Sequence, residues 1–71
     1  MPKLPRNIKP IQLIKILQKH SFTLARVSGS HHFLKHADGR WTHIAVHPKP
    51  IPVGTLKVIL SQSGLSEKDI Q

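Results

Sequence analysis

The hydrophobic positions of the chain change period twice, and each change marks a new kind of element. Residues 1–9 show no period: Pro2 and Pro5 interrupt them, so they predict an irregular lead-in. Pro10 suits a first helical position, where a missing N–H costs nothing. From there Ile11, Leu13, Ile14, Leu17 and His20 fall roughly on one helical face, with Gln12, Lys15, Gln18 and Lys19 on the other. This spacing predicts a helix over 10–20. Its N-cap is weak, because Lys9 lacks the short side-chain acceptor of Ser or Asp. Its exit at Ser21 lacks the usual glycine, which predicts slight strain.

At Phe22 the rhythm shortens to two. Phe22, Leu24 and Arg26 alternate with Thr23, Ala25 and Val27, a strand pattern. Ser28-Gly29-Ser30 reads as a turn, residues 31–36 as a second strand, and Ala37-Asp38-Gly39 as a hairpin turn with a glycine free to take positive φ. Residues 40–46 form the third strand, with Thr42, Ile44 and Val46 on one face and Trp41, His43 and Ala45 on the other. The next stretch carries Pro48, Pro50 and Pro52, which cannot donate to a ladder, so it predicts an extended loop. Thr55 then resembles an N-cap, Leu56, Ile59 and Leu60 have helical spacing, and Gly64 is a stop. Ser66 with Asp69 three residues on predicts a short terminal helical turn.

The order α-β-β-β-α, without a repeat or linker, predicts an α+β domain. Two helices on one face of a three-stranded antiparallel sheet bury both helical stripes most simply. The other sheet face is left open, and function belongs there rather than in an internal pocket. With 71 residues there is room for one domain and one core. Such a core supplies a stability of only about 3–5 kcal/mol. No cysteine is present, which excludes disulfide staples, thiolate zinc sites and thiol nucleophiles.

Charge narrows the partner. Eleven Lys and Arg face three acids, a formal +8 at pH 7. An imbalance of this size points to a polyanionic partner, nucleic acid or an acidic protein. An anionic membrane surface fits poorly, since the basic residues are scattered and no apolar run approaches the ~18 residues of a span. Residues 1–10 lack the apolar core of a secretory signal, so the expected location is cytoplasmic.

The acids Asp38, Glu67 and Asp69 sit in one turn and near the C-terminus. Paired-carboxylate, two-metal and Ser-His-Asp chemistry therefore lack ligands or an orienting acid. Histidine is abundant, with six residues, and it alone titrates near neutral pH when unperturbed. His20 has a structural role at a helix end. His31 and His32 open the second strand, and adjacent strand residues point to opposite faces, so only one lies on the open face. His36, His43 and His47 are dispersed over the hairpin and the following loop. No metal site and no cofactor are expected. RNA carries its own nucleophile, the 2′-hydroxyl, so a cationic, histidine-bearing domain leans towards RNA.

Phe22, Arg26, Gly29-Ser30-His31-His32, Asp38-Gly39, His47, Gly54-Thr55-Leu56, Ile59-Leu60 and Gly64-Leu65-Ser66, in that order and spacing, resemble the HicA family of toxins over roughly residues 10–67. The resemblance implies a fold like that of a double-stranded-RNA-binding domain, cleavage of mRNA, and a HicB antitoxin that masks the active surface. It implies that His31, in the Gly-Ser-His element, is the catalytic histidine. Ser21 departs from the family's usual Gly, and Ala45 from a common Pro.

On this reading His31 acts as general base on a ribose 2′-hydroxyl or as acid to the leaving 5′-oxygen. Gly29 lets the backbone approach a phosphate, and Ser30 donates to it. Arg26 and Lys35 offset charge on the phosphorane. Trp41 stacks a base or packs as an aromatic, and His32 positions substrate or is a plain surface residue. The alternatives are a non-catalytic RNA-binding module on the same surface and a degenerate member that only titrates an antitoxin-like partner.

Overall fold

A computed structural model describes residues 8–70 of the chain. The element order is α1 (Pro10–Lys19), β1 (Phe22–Ser28), β2 (His31–His36), β3 (Trp41–Ala45), α2 (Val53–Ser63) and a short 3₁₀ turn, Glu67–Ile70. The strands form an antiparallel sheet in the order β1-β2-β3. This is the expected α+β arrangement. Of the irregular lead-in, residues 1–7 lie outside the described residues.

Helix α1 starts at Pro10, and the Gln12 side chain accepts from the Lys9 backbone N–H at 2.8 Å. Pro10, Leu13, Ile14 and Leu17 form its buried stripe. Ile11, expected on that stripe, is 48% exposed, because it lies one residue off the i, i+3, i+4, i+7 row. The exit strain is real: Ser21 has φ +70, a left-handed conformation costly for a residue with a Cβ. Phe22, Leu34 and Ile44 from the sheet meet these residues and Leu56, Ile59 and Leu60 of α2 in one core.

Ile8 and Ile51 join this core, although both come from segments with no hydrophobic period. The Ile51 N–H donates to the Ile8 carbonyl at 2.8 Å, which closes the proline-rich loop against the lead-in. The expected cap at Thr55 is overturned. Helix α2 begins three residues earlier than a Thr55 cap would have it, with Pro52 at the N-cap, and Leu56 N–H closes the first turn on the Pro52 carbonyl at 2.9 Å. Pro52, with φ fixed at −59, holds the chain extended at the helix entry. Gly64 ends the helix with φ +74. The Ser66 turn is as expected, with its backbone N–H donating to Asp69 Oδ2 at 2.8 Å.

Strand β1 departs from strict alternation. Leu24 pairs with Leu34 and Arg26 pairs with Phe33, so the register shifts at Ala25, which is left over as a bulge. The expected grouping of Phe22, Leu24 and Arg26 on one face therefore fails at Arg26, which crosses to the face of Phe33. In β3 the alternation holds: Thr42 and Ile44 are buried, Trp41 and His43 exposed.

Candidate nucleic-acid interface

The pairing register fixes the membership of the uncovered sheet face. Leu34 packs in the core, so its neighbours Phe33 and Lys35 face outward, with His31 two residues before Phe33. Across the ladder to β3, His31 lies opposite Ala45, Phe33 opposite His43, and Lys35 opposite Trp41. Arg26 joins from β1 through the bulge.

The side chains on this face touch one another. The Arg26 guanidinium carbon lies 5.1 Å from the centroid of the Phe33 ring, a cation–π contact. The Phe33 and His43 rings are 5.6 Å apart, as are those of His31 and His43. Trp41 stacks beside His43 at 6.5 Å with an interplanar angle of 27°. A strip of flat rings thus runs across β2 and β3, with cations at Arg26 and Lys35. Trp41 is 54% exposed, too open for a core aromatic, and it offers a free ring face to a ligand.

Two turns hold the strip in place. Gly29, at φ +60, opens the β1–β2 turn, a conformation that favours glycine. The Ser30 carbonyl then accepts from the Val46 N–H at 2.7 Å, so the turn is tied to the end of β3. His31 follows directly. At the other end, Arg40 anchors the β2–β3 turn. Its Nε donates to Asp38 Oδ2 at 2.8 Å and its Nη1 to the Ser63 carbonyl at the end of α2 at 2.6 Å. The Asp38 carboxyl is held below its ordinary range, chiefly by the hydrogen bond from the Arg40 backbone N–H, then by the guanidinium.

Of the residues singled out in the sequence, Arg26, His31, Lys35 and Trp41 share the open face, with Gly29 and Ser30 in the turn beside His31. His32 does not join them. It pairs with Ile44 on the helix side, half-buried, with Nδ1 3.2 Å from the Ser30 carbonyl. The carbonyl can only accept, so that nitrogen carries the hydrogen, and the ring braces the turn from behind.

Two members of the strip, Phe33 and His43, are not among the residues singled out in the sequence. The signal for His43 was present in the alternation that grouped it with Trp41. Phe33 required knowing that Leu34, not Phe33, takes the core position.

Chemically, the face offers two imidazoles, two cations and several π-surfaces and, among the described residues, no carboxylate. Among the described residues, no three His, Asp or Glu side chains converge as a metal-binding group. A groove of about 390 Å³ on the loop side is lined by Pro10, Ile44, His47, Ile51 and Ile59 among others, and none of the residues of the open-face strip borders it. No helix among the described residues is long and apolar enough to cross a membrane.

No curated protein matches the chain. A family model described as the HicA toxin of bacterial toxin-antitoxin matches residues 12–65, which span most of α1, the three strands with the whole open-face strip, and all of α2. The chain belongs to the HicA family of toxins of bacterial toxin–antitoxin systems.

Proposed function

We propose that the protein is a ribonuclease toxin that lays single-stranded mRNA across the open face of the sheet and cleaves it beside His31. The observation that carries this reading is the gathering of His31, Arg26, Lys35 and Trp41 on one face of the sheet, where all four are exposed. A phosphodiester needs charge stabilisation as the phosphorane forms, which the two cations supply. The bases need π-surfaces on which to stack, which Trp41 and its neighbours supply. His31 moves a proton at the 2′-hydroxyl or the leaving oxygen. The reaction uses RNA's own hydroxyl as nucleophile and takes no cofactor.

A HicB-type antitoxin with an acidic face would neutralise the toxin by covering this strip, since the chain carries +8 and its few acids lie off the face. The site of action is the cytoplasm, where mRNA is found.

The test is cleavage of a defined single-stranded mRNA by the native protein and by His31→Ala, with EDTA in a parallel arm. Cleavage that persists in EDTA and is lost in His31→Ala, with RNA binding retained, is the expected result. Native and variant proteins that bind RNA equally and cut nothing would establish the binding-module alternative instead.

A further inference from the structure

The open face holds two imidazoles, and only one has a role so far. His43 comes from the middle of β3, diagonally across the ladder from His31, because Phe33 is its direct partner and His31 pairs with Ala45. Diagonal neighbours on one sheet face lie within reach of each other when their side chains are long or aromatic. The two rings are accordingly 5.6 Å apart, tilted by 45°, and both side chains are exposed. At this spacing one phosphate lying above the sheet face can meet both rings at once. Each ring then comes within the hydrogen-bond reach that proton transfer requires, about 2.6–3.2 Å, of oxygens on opposite sides of one phosphorus.

We infer that His43 is a second catalytic residue, and that His31 and His43 divide the two proton transfers of RNA cleavage between them. The inference rests on the ribonuclease reading above. One neutral imidazole takes the proton from the 2′-hydroxyl as the 2′-oxygen bonds to phosphorus. The other, protonated, gives its proton to the 5′-oxygen as the P–O5′ bond breaks. The products are a 2′,3′-cyclic phosphate and a 5′-hydroxyl. No proton, electron or co-reactant is left over, and the two rings have exchanged protonation states. Water adding to the cyclic phosphate by the reverse route restores them.

The surroundings of His43 suit this work. The charged and titratable groups on the same face are His31 and Lys35 from β2 and Arg26 from β1. Among the described residues no carboxylate shares the face: Asp38 is in the β2–β3 turn, bound to Arg40, and Glu67 and Asp69 are in the C-terminal turn. No acid there competes for either proton. Phe33 and Trp41 flank the His43 ring on its own face of the sheet and limit the positions it can take.

The experiment is a single-turnover pH–rate profile on two oligoribonucleotides. One is all-oxygen, and in the other the scissile 5′-oxygen is replaced by sulfur, which leaves as a thiolate without taking a proton. Native protein, His31→Gln and His43→Gln are compared, with RNA binding and far-UV circular dichroism as controls for each.

The native protein should give a bell-shaped profile on the oxygen substrate. His43→Gln should fall by about 10²–10⁴-fold and lose one limb of the bell while still binding RNA. Only one of the two variants, the one lacking the acid, should return to a near-native rate on the sulfur substrate. If His43→Gln cleaves within a few-fold of native, or falls while keeping both limbs, His43 is a bystander or a positioning residue and the pairing is overturned. In that case native cleavage and its loss in His31→Gln still stand. If the native protein cuts neither substrate, the ribonuclease reading fails and the pairing goes with it.

Discussion

Gly64→Ala is expected to destabilise the protein by far more than an ordinary helix-end substitution, through a residue 24 positions earlier. Two costs combine. Gly64 holds φ +74, and a residue with a Cβ pays about 1–2 kcal/mol there. The new Cβ would also lie 2.6 Å from Arg40 Nη1, the atom that donates to the Ser63 carbonyl. The guanidinium has little freedom to yield, since its Nε is bound to Asp38 and its carbon lies 5.6 Å from the centre of the Phe22 ring. Losing a hydrogen bond from a charged donor costs about 1.5–3 kcal/mol. The sum, about 2.5–5 kcal/mol, matches the entire stability expected of so small a core, about 3–5 kcal/mol. In an Arg40→Ala background only the backbone cost should remain. Urea titrations followed by far-UV circular dichroism, in a sulfate buffer that keeps the folded baseline populated, would give the four corners of the cycle. If Gly64→Ala costs the same in both backgrounds, Arg40 is not what the Cβ meets, and its anchoring role between the turn and α2 is refuted.

Two further predictions concern the open face and the turn beside it. Trp41 is the sole tryptophan and is half-exposed, so single-stranded RNA should quench its fluorescence. Trp41→Ala should weaken binding by about 1–3 kcal/mol without changing the circular dichroism, and unchanged affinity would remove Trp41 as a stacking residue. The second follows from the lowered Asp38 carboxyl. A carboxylate whose folded value lies below its ordinary 3.8 contributes stability that is present above that value and lost as pH falls through the folded value. Asp38→Asn should therefore be less stable than the native protein at pH 7, and the gap in melting temperature should narrow as the pH falls below 3.8. A gap that is constant down to pH 2 would show that the Asp38–Arg40 bonds do not depend on charge.

What the sequence disclosed follows the physics of each element. The buried stripe of Leu13, Ile14 and Leu17 and that of Leu56, Ile59 and Leu60 were legible because a helix face repeats and the repeat survives in the one-dimensional order. Ile8 and Ile51 were not, because a lone apolar residue among prolines has no period. Their burial depends on a hydrogen bond between segments 43 residues apart. Thr55 misled because a hydroxyl before Leu56 carries a real capping preference, whereas the helix starts directly after Pro52, whose fixed φ sets the direction of entry. At the site, the Gly29 turn and His31 were readable as a local motif. The closeness of the His31 and His43 rings was not, because it depends on the register of two strands joined by a turn, not on spacing along the chain.

The same dependence on register explains how a cation comes to stand beside the ring strip at all. Under strict alternation Arg26 would stand on the side of Phe22 and Leu34, in the place opposite His32 that Val27 takes, away from the rings. One extra residue, Ala25, reverses the side of everything after it in β1. The bulge thus turns the charge to the open face and places it over Phe33, beside the two histidine rings. The side chains on that face bury little surface and are therefore under weak constraint from folding. Their arrangement is set by the backbone behind them, through the bulge, the Gly29 turn and the Arg40 anchor. The folding requirements fall on Leu34, Thr42 and Ile44, leaving the alternate positions of the same strands available to chemistry.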